Sequence, residues 1–241
     1  MTPPPPASPL LESMHRVAPF VVASGLTPLI PVPFLDDYAL RRVREGMVRE
    51  LLEERALTAP RDTVSLLAGR HPRQGSRLQQ FAGKTALLTL RLATRKGYRR
   101  FLTALWVKDC VDMASLSLHH GHLLRHALTR GDLTQDTLGT PDAARRVDAA
   151  ITAACQEVDA RPVNQALRRI LAGSRLLLDA LSRALDTWGA PPSESPRDDE
   201  ARERASLAGQ LAAALWEEQG YFLALEARYE KHLDAPGHPH P

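Results

Sequence analysis

Apolar residues along this chain recur three and four positions apart, and no stretch sustains the alternation of a half-buried strand. Leu10, Leu11, Met14, Val17, Ala18, Val21 and Val22 trace one such stripe, and Leu35, Leu40, Val43, Met47, Leu51 and Leu52 trace another. The pattern predicts helices over about 10–22, 33–57, 78–93, 98–128, 143–158, 162–188 and 197–232. Pro19 is expected to bend or end the first of them early. Pro33 suits the first position of the second, with Asp36 and Asp37 in its first turn, where the helix dipole favours acids. The expected fold is all-α: an irregular bundle of six or seven helices with disordered, proline-rich ends.

Breaks in the pattern divide the chain. Residues 1–9 form a proline-rich tail, 10–188 a helical domain, 189–196 (Gly-Ala-Pro-Pro-Ser-Glu-Ser-Pro) a linker, 197–232 a C-terminal helix packing on the domain, and 233–241 a second disordered tail. Within the domain, Ser24–Pro33 reads as a turn-rich connection and Arg61–Ser76 as irregular. Gly97 reads as a break before the helix that starts at Tyr98, and Gly131–Pro141 as a polar loop.

One segment stands apart from the amphipathic rhythm. Val17–Leu35 runs nineteen residues without a charge, yet Pro19, Pro28, Pro31 and Pro33 prevent one straight spanning helix. Three readings stay open: a helix–loop–helix knuckle in the core, a shallow re-entrant hairpin in lipid, or an exposed docking surface. In the latter two, Val21, Val22, Leu26, Leu29, Ile30 and Phe34 supply the apolar contact.

Charge adds a second polarity to that picture. Between Thr63 and Lys108 the chain holds ten Lys and Arg and no Asp or Glu, whereas Glu194–Asp234 holds ten acids and five bases. Arg91, Arg95, Lys96, Arg99 and Arg100 make the densest basic group, which suits an anionic surface. Beside an apolar element such a group supplies the second signal that peripheral membrane binding needs. The plainer alternative is that the acidic C-terminal helix packs against the basic segment and neutralises it. Nucleic acid is not expected, because no helix-turn-helix, zinc-finger or RNA-binding signature accompanies the bases.

The candidate chemistry is sparse. Gly83-Lys84-Thr85 ends like a phosphate-binding loop, but Leu78 occupies the position where that loop needs its first glycine. Asp112, His119 and His122 are the candidate metal ligands, suited to zinc or iron, and His119, His122 and His126 share one side of their helix. The plainer reading is a polar helix flank with Lys108 and Asp112 as an i,i+4 ion pair. Asp109 and His120 fall near the centre of the Leu102, Leu105, Leu116 and Leu123 stripe, so each needs a partner if that stripe is buried. Cys110 and Cys155 read as buried, reduced thiols. No catalytic set is recognised.

Gly25-Leu26-Thr27-Pro28-Leu29-Ile30-Pro31-Val32-Pro33-Phe34-Leu35-Asp36-Asp37 and the helix that follows resemble the apolar Pro-x-Pro-x-x-Asp hairpin of bacterial membrane-associated helical proteins. Some of these accompany GTPases, and the EcsC-like family carries similar hairpins. The resemblance covers about thirty residues and lacks the Gly-rich second hairpin expected of such proteins. It implies a non-enzymatic helical protein at the cytoplasmic face of the inner membrane, bound to the anionic surface or to a membrane-bound protein. It implies no catalytic residue. The competing expectations are a metal-dependent helical enzyme and a soluble helical scaffold.

Overall fold

The computed structural model describes residues 9–29, 35–69, 95–172, 206, 209–211, 213–214 and 218–235. The fold is all-α, with no strand among the described residues. Helix α1 (Pro9–Leu26) continues into a 3-10 turn (Thr27–Leu29) and is followed by α2 (Leu35–Glu53) and α3 (Arg61–Leu67). Then come α4 (Arg95–Arg130), α5 (Gln135–Leu138), α6 (Pro141–Glu157), α7 (Arg161–Ala172) and α8 (Gln219–Leu233).

Helix α4 is the axis of the core, and α1, α2, α6, α7 and α8 all pack on it. Its middle is buried almost all round, as a helix surrounded by others must be: Cys110, Ala114, Leu118, Leu123, Leu124 and Ala127 are all fully enclosed. One close approach is at Gly121. A Cβ there would lie 2.7 Å from both Val17 Cγ1 and Met47 Sδ, so only a glycine lets α1 and α2 seat this deeply. A Cβ on Gly25 would in turn lie 3.2 Å from Ala114 Cβ. These pairings make α1 antiparallel to α4. Arg44 meets Ser117 while Met47 meets Gly121, so α2 runs parallel to α4.

Four sequence expectations are corrected. Helix α1 does not end at Pro19 but runs on to Leu26. Pro19 is exposed there, while Val17, Ala18, Val21 and Val22 beside it are buried. Burying each of those valines gains roughly 1.5–3 kcal/mol, which together outweighs the ~3 kcal/mol cost of an internal proline. Gly97 does not interrupt α4, since one glycine costs a long helix only about 1 kcal/mol. The segment read as irregular after Pro60 contains α3, anchored by buried Thr63, Val64 and Leu67, and Gly69 at φ +78° follows it. The polar loop after Gly131 contains α5, whose first turn Thr134 and Thr137 cap reciprocally.

The uncharged run divides. Val17, Ala18, Val21, Val22, Ser24, Gly25 and Thr27 are buried, so this part forms a packed knuckle. Val21 and Val22 therefore face the core and offer no outward contact, and Leu26 is half-buried against the same core. Ile30–Phe34, the expected helix over 78–93, the 189–196 linker and residues 1–8 and 236–241 of the tails lie outside the described residues, while Pro9 begins α1 and Leu233 ends α8. No helix among the described residues is long and apolar enough to cross a membrane.

Candidate functional site

Helices α4 and α8 run side by side and parallel, and polar side chains line the seam between them. His119 pairs with Tyr221, His122 with Glu226, His126 with Glu230, and Arg130 with Asp234, each step about one helical turn beyond the last. Phe222, Leu225 and Tyr229 of α8 are buried beside this ladder and fix its depth. On the far side, Glu157 of α6 takes His232 at 2.8 Å, with Arg228 and Lys231 each 3.9 Å away.

His119 is buried, and desolvation pushes its pKa down to about 4, with the nearby His122 adding to the drop against an opposing contact with Ser115. The ring is neutral at physiological pH. Its Nδ1 faces Ser115 Oγ at 3.4 Å, and its Nε2 accepts from the Tyr221 hydroxyl. Burial raises the Tyr221 phenol, as do Cys155 and Asp159, so it stays a donor.

The centre of the seam is more unusual. His122 is 5% exposed and stacks obliquely on Phe222, with ring centres 4.7 Å apart. Its Nε2 lies 2.8 Å from Glu226 Oε1. The same Glu226 oxygen is 3.6 Å from His126 Nδ1, and His126 Nε2 is 3.0 Å from Glu230 Oε1. Burial favours a higher pKa for Glu226, yet His122 and then His126 outweigh it and hold this carboxyl below its usual range.

The candidate metal ligands read from the sequence do not converge. Asp112 is 2.7 Å from Lys108, the plain i,i+4 ion pair; His119 is taken by Tyr221 and Ser115; only His122 faces a carboxylate. Among the described residues no three His, Cys, Asp or Glu side chains stand in coordinating geometry. The shared side of His119, His122 and His126 is the side that meets α8. Glu226, Glu230 and Tyr221, their partners, were missed, although the Glu-x-x-x-Glu spacing in the C-terminal helix marks two acids on one face. His120 lies on the opposite flank and hydrogen-bonds the Leu67 carbonyl. Asp109 is half-buried. Cys110 and Cys155 have their thiols pushed up to about 12 by burial, so neither is a ready nucleophile.

The basic group sits elsewhere. Arg95, Lys96, Arg99 and Arg100 occupy the first two turns of α4, and Arg91 lies outside the described residues. Because α1 is antiparallel and α2 parallel to α4, the end of α1 and the start of α2 lie towards the same end of the molecule as the start of α4. The Arg44–Ser117 pairing sets Leu35 level with about residue 108. The first turns of α4 therefore extend roughly 12–20 Å beyond it, at 1.5 Å per residue. The Thr27–Leu29 turn itself packs on α4. The acids of α8 meet the other half of α4, so Glu226, Glu230 and Asp234 pair with His122, His126 and Arg130.

Comparison of the chain with protein-family models, with curated proteins and with solved structures finds no match.

Proposed function

We propose that the chain is a non-enzymatic helical protein that binds the anionic cytoplasmic face of a membrane peripherally. The observation that carries this reading is that the Thr27–Leu29 turn ending α1, the start of α2 and the basic start of α4 lie towards one end of the bundle. Arg91, Arg95, Lys96, Arg99 and Arg100 supply the electrostatic attraction, on the order of 1 kcal/mol per charge near an anionic leaflet. Leu29, Ile30 and Phe34 supply the apolar contact, and Val21 and Val22, being buried, are removed from that set. Two weak signals of different kind are what reversible attachment requires. The resemblance of Gly25–Asp37 to the hairpin of membrane-associated helical proteins points the same way.

Co-sedimentation with vesicles tests the reading. The protein is expected to pellet with vesicles containing anionic lipid and to stay in solution with zwitterionic ones. Replacing Arg95, Lys96, Arg99 and Arg100 together by Gln should weaken binding by two to three orders of magnitude, from roughly 1 kcal/mol per charge. Binding indifferent to anionic lipid, or unchanged in that variant, overturns it.

A further inference from the structure

Histidines recur in the contacts that hold α8 to α4 and α6. His119, His122 and His126 on α4 meet Tyr221, Glu226 and Glu230 on α8, and His232 of α8 meets Glu157 of α6. Beneath this row α8 buries Phe222, Leu225 and Tyr229. A terminal helix joined to the core by one row of polar pairs and a few apolar anchors is the kind of element that opens as a unit while the rest stays folded.

Two members of the row are set against acid. His119 is enclosed with a neutral hydroxyl at each nitrogen, Ser115 at Nδ1 and Tyr221 at Nε2, and no carboxylate among the described residues pairs with it. A proton there would put an uncompensated charge beside His122 in a dry seam, and burial holds the ring neutral. The charge of Glu226 is opposed by burial, but His122 and then His126 outweigh it, so the docked helix favours the ionised carboxylate. The other charged groups around α8 are paired: Glu230 with His126, Glu157 of α6 with His232, Arg228 and Lys231, and Arg130 with Asp132 and Asp234. Asp132 also takes the Tyr229 hydroxyl, and Tyr221 senses Cys155, Asp159 and Arg228. A proton on His122, His126 or His232 strengthens its carboxylate contact, so these three delay an acid response rather than cause it.

We propose that the α4–α8 seam is an acid-sensitive latch, from which α8 lifts as a unit on acidification while the core of α1, α2 and α4 stays folded. The released imidazole of His119 takes the proton that the enclosed ring excludes. It titrates at about 4 docked and at roughly 6.5 in solvent, so this residue alone raises the released fraction about 50-fold between neutrality and about pH 4.5. Protonation of Glu226 acts in the same direction at lower pH. Release uncovers Cys155 of α6, which stands close enough to Tyr221 to add to the effect of burial on its phenol. It leaves Cys110 covered, because that residue lies on α4 where Gly25 of α1 packs. Local release is thus distinct from a fall in overall stability, and the two native thiols tell them apart.

The test labels the full-length chain with dithiodipyridine, a thiol reagent that works in acid as well as at neutrality, and assigns each modified cysteine by peptide mass. Rates are divided by those of the denatured chain at the same pH, which removes the reagent's own pH dependence. In the wild type, Cys155 is expected to label at least about tenfold faster at about pH 4.5 than at neutrality, with Cys110 still protected. His119→Gln should abolish that rise, with His119→Asn in its place if the first variant does not melt cooperatively. Glu226→Gln, which mimics the protonated acid, should speed Cys155 labelling already at neutrality and leave Cys110 protected. Cys155 still protected at about pH 4.5, the two thiols opening together, or an equal rise in a folded His119 variant overturns the proposal.

Discussion

His122 and Glu226 meet 2.8 Å apart in the seam where the C-terminal helix lies along the central one, and the same carboxylate oxygen reaches His126. A contact between elements 104 residues apart in sequence thus joins the end of the chain to its core. Glu226→Ala removes the acid that His122 meets among the described residues and should destabilise the protein by about 1–3 kcal/mol. Leu223→Ala, on the exposed side of the same helix, should stay within about 0.5 kcal/mol of wild type. Urea unfolding of both variants checks the contrast, and equal effects would show that the seam contributes nothing specific.

Stability should fall on mild acidification. His119 titrates at about 4 in the folded protein, against roughly 6.5 when unfolded. Between those values the unfolded chain binds a proton that the folded one does not, so the contribution is complete above about pH 6.5 and lost by about pH 4. Its size is on the order of 3 kcal/mol, at about 1.4 kcal/mol per pKa unit. Glu226, held below its usual range, adds a loss of the same sign at the acid end. Urea midpoints measured from neutrality down to about pH 4.5 should decline, and less steeply in His119→Gln. Parallel profiles in the two proteins would contradict this assignment.

Gly121 and Gly220 should answer the same substitution in opposite ways. Alanine at Gly121 forces a Cβ to within 2.7 Å of Val17 and Met47, whereas nothing lies within 4 Å of the corresponding position on Gly220. Gly121→Ala is expected to cost about 1–3 kcal/mol by overpacking. Gly220→Ala, in an exposed helical position, should be neutral or stabilising by up to about 1 kcal/mol. Thermal melts of the two variants read the difference directly.

The native thiols should be inert. Cys110 is fully enclosed and Cys155 half-buried, with both thiols pushed up to about 12. A thiol reagent at neutral pH should label neither residue in the folded protein and both in denaturant. Rapid labelling under native conditions would mean that the core around α4 opens readily.

The fold was legible wherever helical periodicity and caps agreed, and obscure where packing overrode local chemistry. Val17, Ala18, Val21 and Val22 announced a buried stripe, but Pro19 hid its continuation to Leu26, because the gain from burying that stripe is invisible to a local rule. The bases Arg95–Arg100 around Gly97 similarly disguised the start of α4. In the seam, the common side of His119, His122 and His126 could be read from spacing alone. Their partners could not, since Glu226 and Glu230 look like the solvated acids of any surface helix until α8 is laid against α4. The separation of charge along the sequence also concealed part of its use in space: Glu226, Glu230 and Asp234 meet the histidine-rich half of α4.

Peripheral attachment is proposed through the end of the bundle where the end of α1 and the basic start of α4 lie. The most direct measurement places an environment-sensitive fluorophore at Ile30→Cys, with Leu223→Cys on α8 as the control, the buried native thiols being spared. Attachment predicts a blue shift at position 30 on anionic vesicles, none on zwitterionic ones, and none at position 223 in either case. It also predicts loss of the shift when Arg95, Lys96, Arg99 and Arg100 are replaced by Gln. An unshifted spectrum at position 30 on anionic vesicles, or one that shifts equally without the four bases, would contradict the account.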